Sequence, residues 1–219
     1  MAKLDEKNMD ELDGVNVLKH SSIRINNGKI IYIDPFQIDI ANHDADLVLC
    51  THSHYDHFSP DDIKAVSNES TVLITTPDTQ KDVEKMGFLD ANVHYAKPGE
   101  KFDFEGIIIE CIPAYNKFKE FHPKSRNWLG YLLNINDIRY YIAGDTDKTK
   151  EACQIECDVA FLPVGGTYTM TYAEAASLAN KIKPKYAIPT HYGLIVGEIG
   201  DGLSFARLLD KEIESRVFF

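Results

Sequence analysis

Short β-like segments dominate this chain, with only a few helix signals among them. Val15–Lys19, Ile23–Ile25, Lys29–Asp34, Leu47–Thr51 and Val72–Thr75 make up the first group. Asn92–Tyr95, Lys101–Phe104, Ile107–Ile112, Leu129–Ile135, Ile138–Ile142, Val159–Leu162 and Tyr186–Ile188 follow. Asn26-Asn27-Gly28 suits a hairpin turn, because Asn and Gly tolerate positive φ. Ser59-Pro60-Asp61-Asp62 signals a helix start, with Ser59 as N-cap, Pro60 at the first helical position and Asp62 as the capping acid. Further helices are expected over Thr79–Met86, closed by Gly87, over Tyr172–Lys183 behind Thr171 and Glu174, and over Leu203–Ile213. The order is a β-rich half with helices, repeated. Two mixed β-sheets packed face to face with helices on the outside accommodate it, and periodicity alone leaves other α/β arrangements open.

The 219 residues, 44% hydrophobic and 26% charged, suit one domain over 1–219 with a sizeable core. Residues 1–13 carry five acids and two lysines and read as a solvated leader. The net charge of −11 disfavours nucleic acid and anionic membranes as partners, since neutralising phosphates takes Lys and Arg. Met1–Lys7 has no apolar signal core, and Ile107-Ile108-Ile109 is far too short to span a bilayer, so a cytoplasmic location is expected. Cys50, Cys111, Cys153 and Cys157 form no secreted framework; Cys153 and Cys157, four apart, have helix-face spacing and are read as ordinary packing.

Chemistry concentrates in His52-Ser53-His54-Tyr55-Asp56-His57, between an apolar run and the Ser59 helix. Imidazoles two residues apart in a loop can turn toward one point, and Asp56 with His57 toward a neighbouring one. Neutral imidazole and carboxylate suit zinc and similar first-row cations. A solvated polar loop is disfavoured, because four potential ligands fall in six residues with an acid among them and no basic residue to neutralise it.

This HxHxDH motif resembles the signature of the metallo-β-lactamase-fold hydrolases, and the resemblance runs along most of the chain. Ile30–Phe36 is similar to the family's second-hairpin segment that ends at the site, Gly144-Asp145-Thr146 to its GDT segment, and Pro189-Thr190-His191-Tyr192-Gly193 to its late histidine segment. Pro163–Met170 and Pro113-Ala114-Tyr115-Asn116 resemble a poorly characterised branch of metal-dependent hydrolases akin to L-ascorbate-6-phosphate lactonase and N-acyl-phosphatidylethanolamine phospholipase D. The resemblance implies a four-layer αββα sandwich of class α/β (α+β). It also implies two divalent metal ions, zinc first, with manganese, iron or nickel as alternatives.

Carried over by position, His52 and His54 would bind the first metal, Asp56, His57 and His191 the second, and Asp145 would bridge them. The family's further histidine for the first metal is replaced by Asn116, and His122 nearby is favoured over it as the ligand. His20 matches a family Gly-His-Ala/Ser segment with Lys19 in place of Gly and is expected in the cleft, with Tyr192 also nearby. Asp34 is a candidate to orient a ligand imidazole. His43 and His94 show no pattern.

Two cations sharing a water lower its pKa and polarise a carbonyl or phosphoryl oxygen, so hydrolysis of a small ester, lactone or phosphodiester is expected. Asp56 would orient the nucleophile, and Tyr192, Tyr168, His122 and Lys117 are candidates to protonate the leaving group. The substrate is expected to be a small anion, held by the metals and by Lys117, Lys124 or Arg126 in the aromatic and basic stretch Tyr115–Trp128, which would form either a lid or a surface loop. Histidine at position 54 disfavours the redox di-iron relatives, and His57 disfavours the antibiotic-hydrolysing ones. Charge and length disfavour the nuclease branch. A non-catalytic metal- or ligand-binding relative is the other class considered; Asn116 supports it, and the otherwise complete ligand set opposes it. Oligomeric state leaves no mark on the sequence.

Overall fold

A computed structural model describes residues 11–219. Two six-stranded sheets carry nearly all of the regular structure. In the first, β1 (Val15–Lys19), β2 (Ser22–Asn26) and β3 (Ile30–Ile33) form an antiparallel meander, and β4 (Ala45–Leu49), β5 (Ser67–Thr75) and β6 (Val93–Tyr95) continue it in parallel. In the second, β7 (Lys101–Phe104), β8 (Ile107–Pro113), β9 (Leu129–Ile135) and β10 (Ile138–Ile142) are antiparallel, and β11 (Val159–Pro163) and β12 (Tyr186–Thr190) add in parallel.

Alternation along the strands assigns the layers. Val15, Val17, Ile23, Ile25, Ile31 and Ile33 from one sheet meet Ile107, Ile109, Leu129, Tyr131, Leu133 and Ile142 from the other in a central core. Each fully buried Ile or Leu there contributes about 1.5–3 kcal/mol of burial free energy. Helices α1 (Pro60–Val66) and α2 (Gln80–Val83) cover the outer face of the first sheet through Ile63, Val66 and Val83. Helices α3 (Tyr172–Ile182) and α4 (Asp201–Ala206) cover the second through Ala175, Leu178, Ala179 and Phe205. The result is the expected four-layer αββα sandwich. Among the described residues no helix is long and apolar enough to cross a membrane.

Several local expectations need correction. Residues 1–10 of the expected leader lie outside the described residues, but the leader does not extend to residue 13. Leu12 is only 2% exposed and belongs to the central core, and Glu11 pairs with Lys185 Nζ at 2.7 Å. Ser59 occupies the N-cap of α1 without a capping hydrogen bond. Asp62 does not close a capping box, because its carboxylate accepts from Gln37 N (2.9 Å) and Ile38 N (2.8 Å) and so satisfies the loop after β3. The helix expected over Thr79–Met86 splits into a 3₁₀ turn, Pro77–Thr79, and the single turn of α2. The last helix ends at Ala206 rather than Ile213, because the chain beyond it returns to the sheet. Ala187 N donates to Glu214 O and Glu214 N to Lys185 O, both at 2.9 Å, which buries Ile213. Cys153 and Cys157 share no helix; Cys153 lies in a 3₁₀ turn, and both pack against the outer core of the second sheet. Helix α3, in contrast, carries the expected capping box: Thr171 Oγ1 accepts from Glu174 N, and Glu174 Oε2 accepts from Thr171 N.

Candidate metal centre

The motif residues collect along one edge of the sandwich, where several chain segments leave the parallel strands. His52, His54, Asp56 and His57 follow β4, Asp34 follows β3, Asp145 follows β10, and His191 follows β12. His20 lies in the β1–β2 turn, and Asn116 and His122 lie in the β8–β9 loop. Three of these residues have left-handed backbone: His20 (φ 54°), Asp34 (φ 47°) and His191 (φ 57°). Non-glycine residues adopt that region at a cost, so its recurrence at one edge marks a place where side-chain direction outweighs local comfort. The turns brace one another, since His191 N donates to His20 O at 3.1 Å. Gly144 (φ 62°) permits the turn before Asp145. A Cβ there would come within 2.6 Å of Leu129 O and 3.3 Å of Thr51 Cβ.

Beneath the histidines lies a fully buried hydrogen-bond network. Asp34 Oδ1 accepts from Thr51 N (2.7 Å), and Asp34 Oδ2 accepts from Thr51 Oγ1 (2.8 Å) and His57 Nδ1 (2.7 Å). With its proton given to Asp34, Thr51 Oγ1 is left to accept from His52 Nδ1 at 3.0 Å. Both imidazoles are thereby held with Nδ1 as the donor and Nε2 turned to the cluster, where a bound cation would take the place of any Nε2 proton, as in carboxylate-oriented metal ligands.

The opposing atoms converge on Asp145. Its Oδ2 lies 3.2 Å from His122 Nε2, 3.1 Å from His191 Nε2 and 4.0 Å from His52 Nε2, and its Oδ1 lies 3.3 Å from His57 Nε2. Asp56 Oδ2 is 3.3 Å from His20 Nε2 and 3.5 Å from both His57 Nε2 and His191 Nε2. His54 Nδ1 lies 3.1 Å from His52 Nε2. Despite this crowding, His57 Nε2, His122 Nε2 and Asp145 Oδ1 are buried without a hydrogen-bond partner among the described residues. Buried lone pairs that converge without bonding one another suit a cation. Three ligand-type sets lie within 4.8 Å internally: His52/His54/His122, His20/Asp56/His191 and His52/His57/Asp145.

The β8–β9 loop separates the roles of its two candidates. Asn116 Oδ1 accepts from His122 N and faces His122 Nδ1, each at 3.1 Å, while Asn116 Nδ2 donates to Tyr168 O (3.0 Å) and Asp147 Oδ1 (3.2 Å). The amide therefore holds His122, and His122 enters the cluster. Tyr192 turns away: its hydroxyl donates to Phe219 O at 2.9 Å and its ring stacks on Phe219, which corrects the expectation that it sits in the cleft. His43 and His94 lie outside the cluster.

Two further residues pack against the cluster: Trp128, visible in the sequence only as the end of the aromatic and basic stretch, and Asp78, which carried no local sequence signal. The Trp128 ring lies 4.8 Å from His52, 4.7 Å from His54 and 5.4 Å from His122 between centroids. Asp78 fixes it, accepting from Trp128 Nε1 (2.8 Å) and from Ser53 Oγ (2.7 Å), the serine between the two motif histidines.

Electrostatics follow from burial opposed by charge. Burial would raise Asp145 and Asp56, but His191 and His57 at Asp145, and His191 and His20 at Asp56, outweigh it, so both carboxylates stay well below their ordinary range. Burial would lower His57 and His191, yet Asp145 beside both, with Asp34 at His57 and Asp56 at His191, holds each above its ordinary value. Burial dominates at His52, at His54 and at His20, which is pushed down to about 4. Asp34 is raised by burial although His57 opposes the shift. Protons on His57 and His191 thus supply the positive charge that the paired carboxylates require, and a bound cation would replace them.

A cavity of about 220 Å³ opens on the cluster, lined by His54, Asp56, His122, Asp145 and His191 together with Tyr55, Phe121, Tyr168 and Ile195. A larger groove of about 560 Å³ between Lys64 and Phe88 has none of these groups and lies away from the chemistry.

Comparison with known proteins places this site in context. A family model described as a β-lactamase superfamily domain matches residues 14–191. A protein of Pyrococcus horikoshii named a metal-dependent hydrolase is 29% identical over 219 residues, covering 91% of this chain and 93% of the relative. One of the same name from Thermus thermophilus is 29% identical over 214 residues, with the same coverage. Among solved structures, a candidate metal-dependent hydrolase from Parabacteroides distasonis superposes with a TM-score of 0.77 at 33% identity, covering 93% of this chain and 91% of that one. A metallo hydrolase from Ignicoccus hospitalis reaches 0.73 at 23% identity, covering 93% of each chain.

Proposed function

This chain belongs to the β-lactamase superfamily domain family and is a metal-dependent hydrolase, and from that premise we propose that it cleaves a small ester, lactone or phosphodiester with two divalent ions, zinc first. The observation that carries the reading is the pair of ligand sets that meet at one buried carboxylate. His52, His54 and His122 would hold one ion. Asp56, whose Oδ2 lies 3.5 Å from both His57 Nε2 and His191 Nε2, would hold the other with those two histidines, and Asp145 lies within 3.3 Å of His122, His57 and His191. When bound, such ions supply Lewis acidity, lowering the pKa of a water and polarising the scissile oxygen.

The protein's own groups do the rest. Asp34 and Thr51 lock the His57 and His52 tautomers, and Asn116 holds His122. Asp56, kept ionised by His191 and His20, accepts a hydrogen bond from the attacking water and orients it. Tyr192 is engaged by Phe219 and His122 belongs to the cluster, and Lys117 is not among the residues lining the cavity. Tyr168 is therefore the sequence candidate left in the cavity to hand a proton to the leaving group. A structural metal site needs four ligands and no open position, so the cavity over this cluster speaks against a purely structural role.

The direct test is hydrolysis of a p-nitrophenyl ester, a lactone and bis(p-nitrophenyl) phosphate by the wild type and by Asp145→Ala and His191→Ala. Loss of roughly 100-fold or more in both variants is expected. Equal rates in all three proteins would remove the site from the chemistry.

A further inference from the structure

We propose that the cavity selects a neutral substrate, an ester or lactone carrying an aromatic or similarly apolar body, and not the anion that the sequence suggests. The inference rests on the hydrolytic reading above and concerns what the walls of the cavity accept.

Opposite the ligand cluster, the wall is apolar. Phe121 and Tyr168 pack edge to face with centroids 4.6 Å apart, giving one aromatic surface, and Tyr55 and Ile195 complete it. Tyr55 is 66% exposed, Phe121 48% and Ile195 36%, so large apolar side chains are left uncovered at the mouth of a polar site. Uncovered apolar surface in a concave site is where an apolar ligand gains free energy. A volume of about 220 Å³ suits a single ring with a short linker.

Positive charge, which an anion would need, is committed elsewhere. No lysine or arginine lines the cavity among the described residues. Lys119 Nζ donates to Asp147 Oδ1 (2.7 Å) and Thr169 O (2.6 Å), and Lys124 Nζ pairs with Glu151 at 2.9 Å. Lys117 lies over its neighbour Phe118, and Arg126 over Trp128. Lys117, Lys124 and Arg126, the residues expected to hold an anionic substrate, are not among those lining the cavity. At the cluster itself, the buried carboxylates Asp56 and Asp145 would offset part of the positive charge that two divalent ions bring. A carboxylate or phosphate on the body of the substrate would lose hydration against aromatic faces and gain no partner.

Two measurements test this on the zinc-loaded protein. The first compares kcat/KM for p-nitrophenyl phenylacetate, p-nitrophenyl acetate and p-nitrophenyl 4-carboxyphenylacetate, each normalised to its rate in hydroxide. The phenylacetyl ester is expected to lead both others by about ten-fold or more, with the lead reduced in Phe121→Ala. Equal or faster turnover of the carboxyphenylacetate would overturn the inference while leaving the hydrolytic reading intact. The second measures binding of phenylacetohydroxamate, acetohydroxamate and the carboxylate-bearing succinohydroxamate by calorimetry, with no turnover required. Tightest binding of the phenyl compound, weakened in Phe121→Ala, would support the inference even if every ester went uncleaved, and in that case the hydrolytic reading alone would fall. Equal binding of all three would overturn the inference.

Discussion

Replacing Asp34 by Asn separates charge from shape at the base of the metal centre. Position 34 has φ 47°, a conformation that Asn tolerates, so the backbone is not the thing perturbed. The amide oxygen can still accept from Thr51 N, but the amide nitrogen then faces His57 Nδ1 and Thr51 Oγ1, both of which donate to Asp34 in the wild type. Two donors cannot share one hydrogen bond. His57 must therefore move its proton to Nε2, the atom that faces Asp56 and Asp145 and would bind the second ion. Losing a partner of this kind typically weakens metal affinity by about 10–100-fold, or about 1.4–2.7 kcal/mol. The weakening should fall most on the second ion, through His57, and less on the first, which Asp34 reaches only through Thr51 and His52 while His54 and His122 have no hydrogen bond to Asp34. Competition against a chromophoric zinc chelator, analysed for two constants, measures this, with circular dichroism to confirm folding. A folded Asp34→Asn protein that keeps both wild-type constants would refute the orienting role of Asp34.

Other expectations follow from the same geometry. Gly144→Ala combines positive φ with a clash against Leu129 O and should cost at least about 2 kcal/mol, seen as a lowered melting temperature of the metal-free protein; an unchanged melting curve would count against that turn geometry. Trp128, the single tryptophan, should change fluorescence when the ion held by His52, His54 and His122 binds, and Asp78→Asn should shift that signal and weaken that ion more than the other. In the metal-free chain His57 and His191 hold their protons above the ordinary histidine range, so zinc must displace them. Binding near pH 7 should therefore release protons, and affinity should rise with pH through those raised values. Calorimetry in buffers of different ionisation enthalpy reads the release, and a buffer-independent heat would contradict it.

The legibility of this chain divides along a physical line. Val15–Lys19, Lys101–Phe104, Leu129–Ile135 and Ile138–Ile142 have the bounds the sequence suggests, because strand period and turn chemistry are local properties. The Thr171–Glu174 capping box is equally local. Asp62 failed as a capping acid because loop amides 24 and 25 residues away compete for it. The final helix stopped short because Glu214 pairs with β12, a contact that no window over 203–213 contains. At the site, the motif spacing pointed to the cluster, but the choice between Asn116 and His122 depends on a ring of hydrogen bonds that closes only through Tyr168. Trp128 and Asp78, fifty residues apart, meet only in three dimensions. A Tyr next to a candidate ligand histidine reads as a cleft residue, yet Tyr192 packs on Phe219 while His191 faces Asp56 and Asp145. Of the basic residues of Tyr115–Trp128, Lys119 and Lys124 are paired with Asp147 and Glu151, contacts that composition does not record.

The central claim is that two ions share Asp145. Crystals of the zinc-loaded protein measured at the zinc absorption edge test it most directly. Two anomalous peaks are expected, one among His52, His54 and His122 and the other among Asp56, His57 and His191, with Asp145 between them. A single peak, or zinc bound away from these residues, would contradict it.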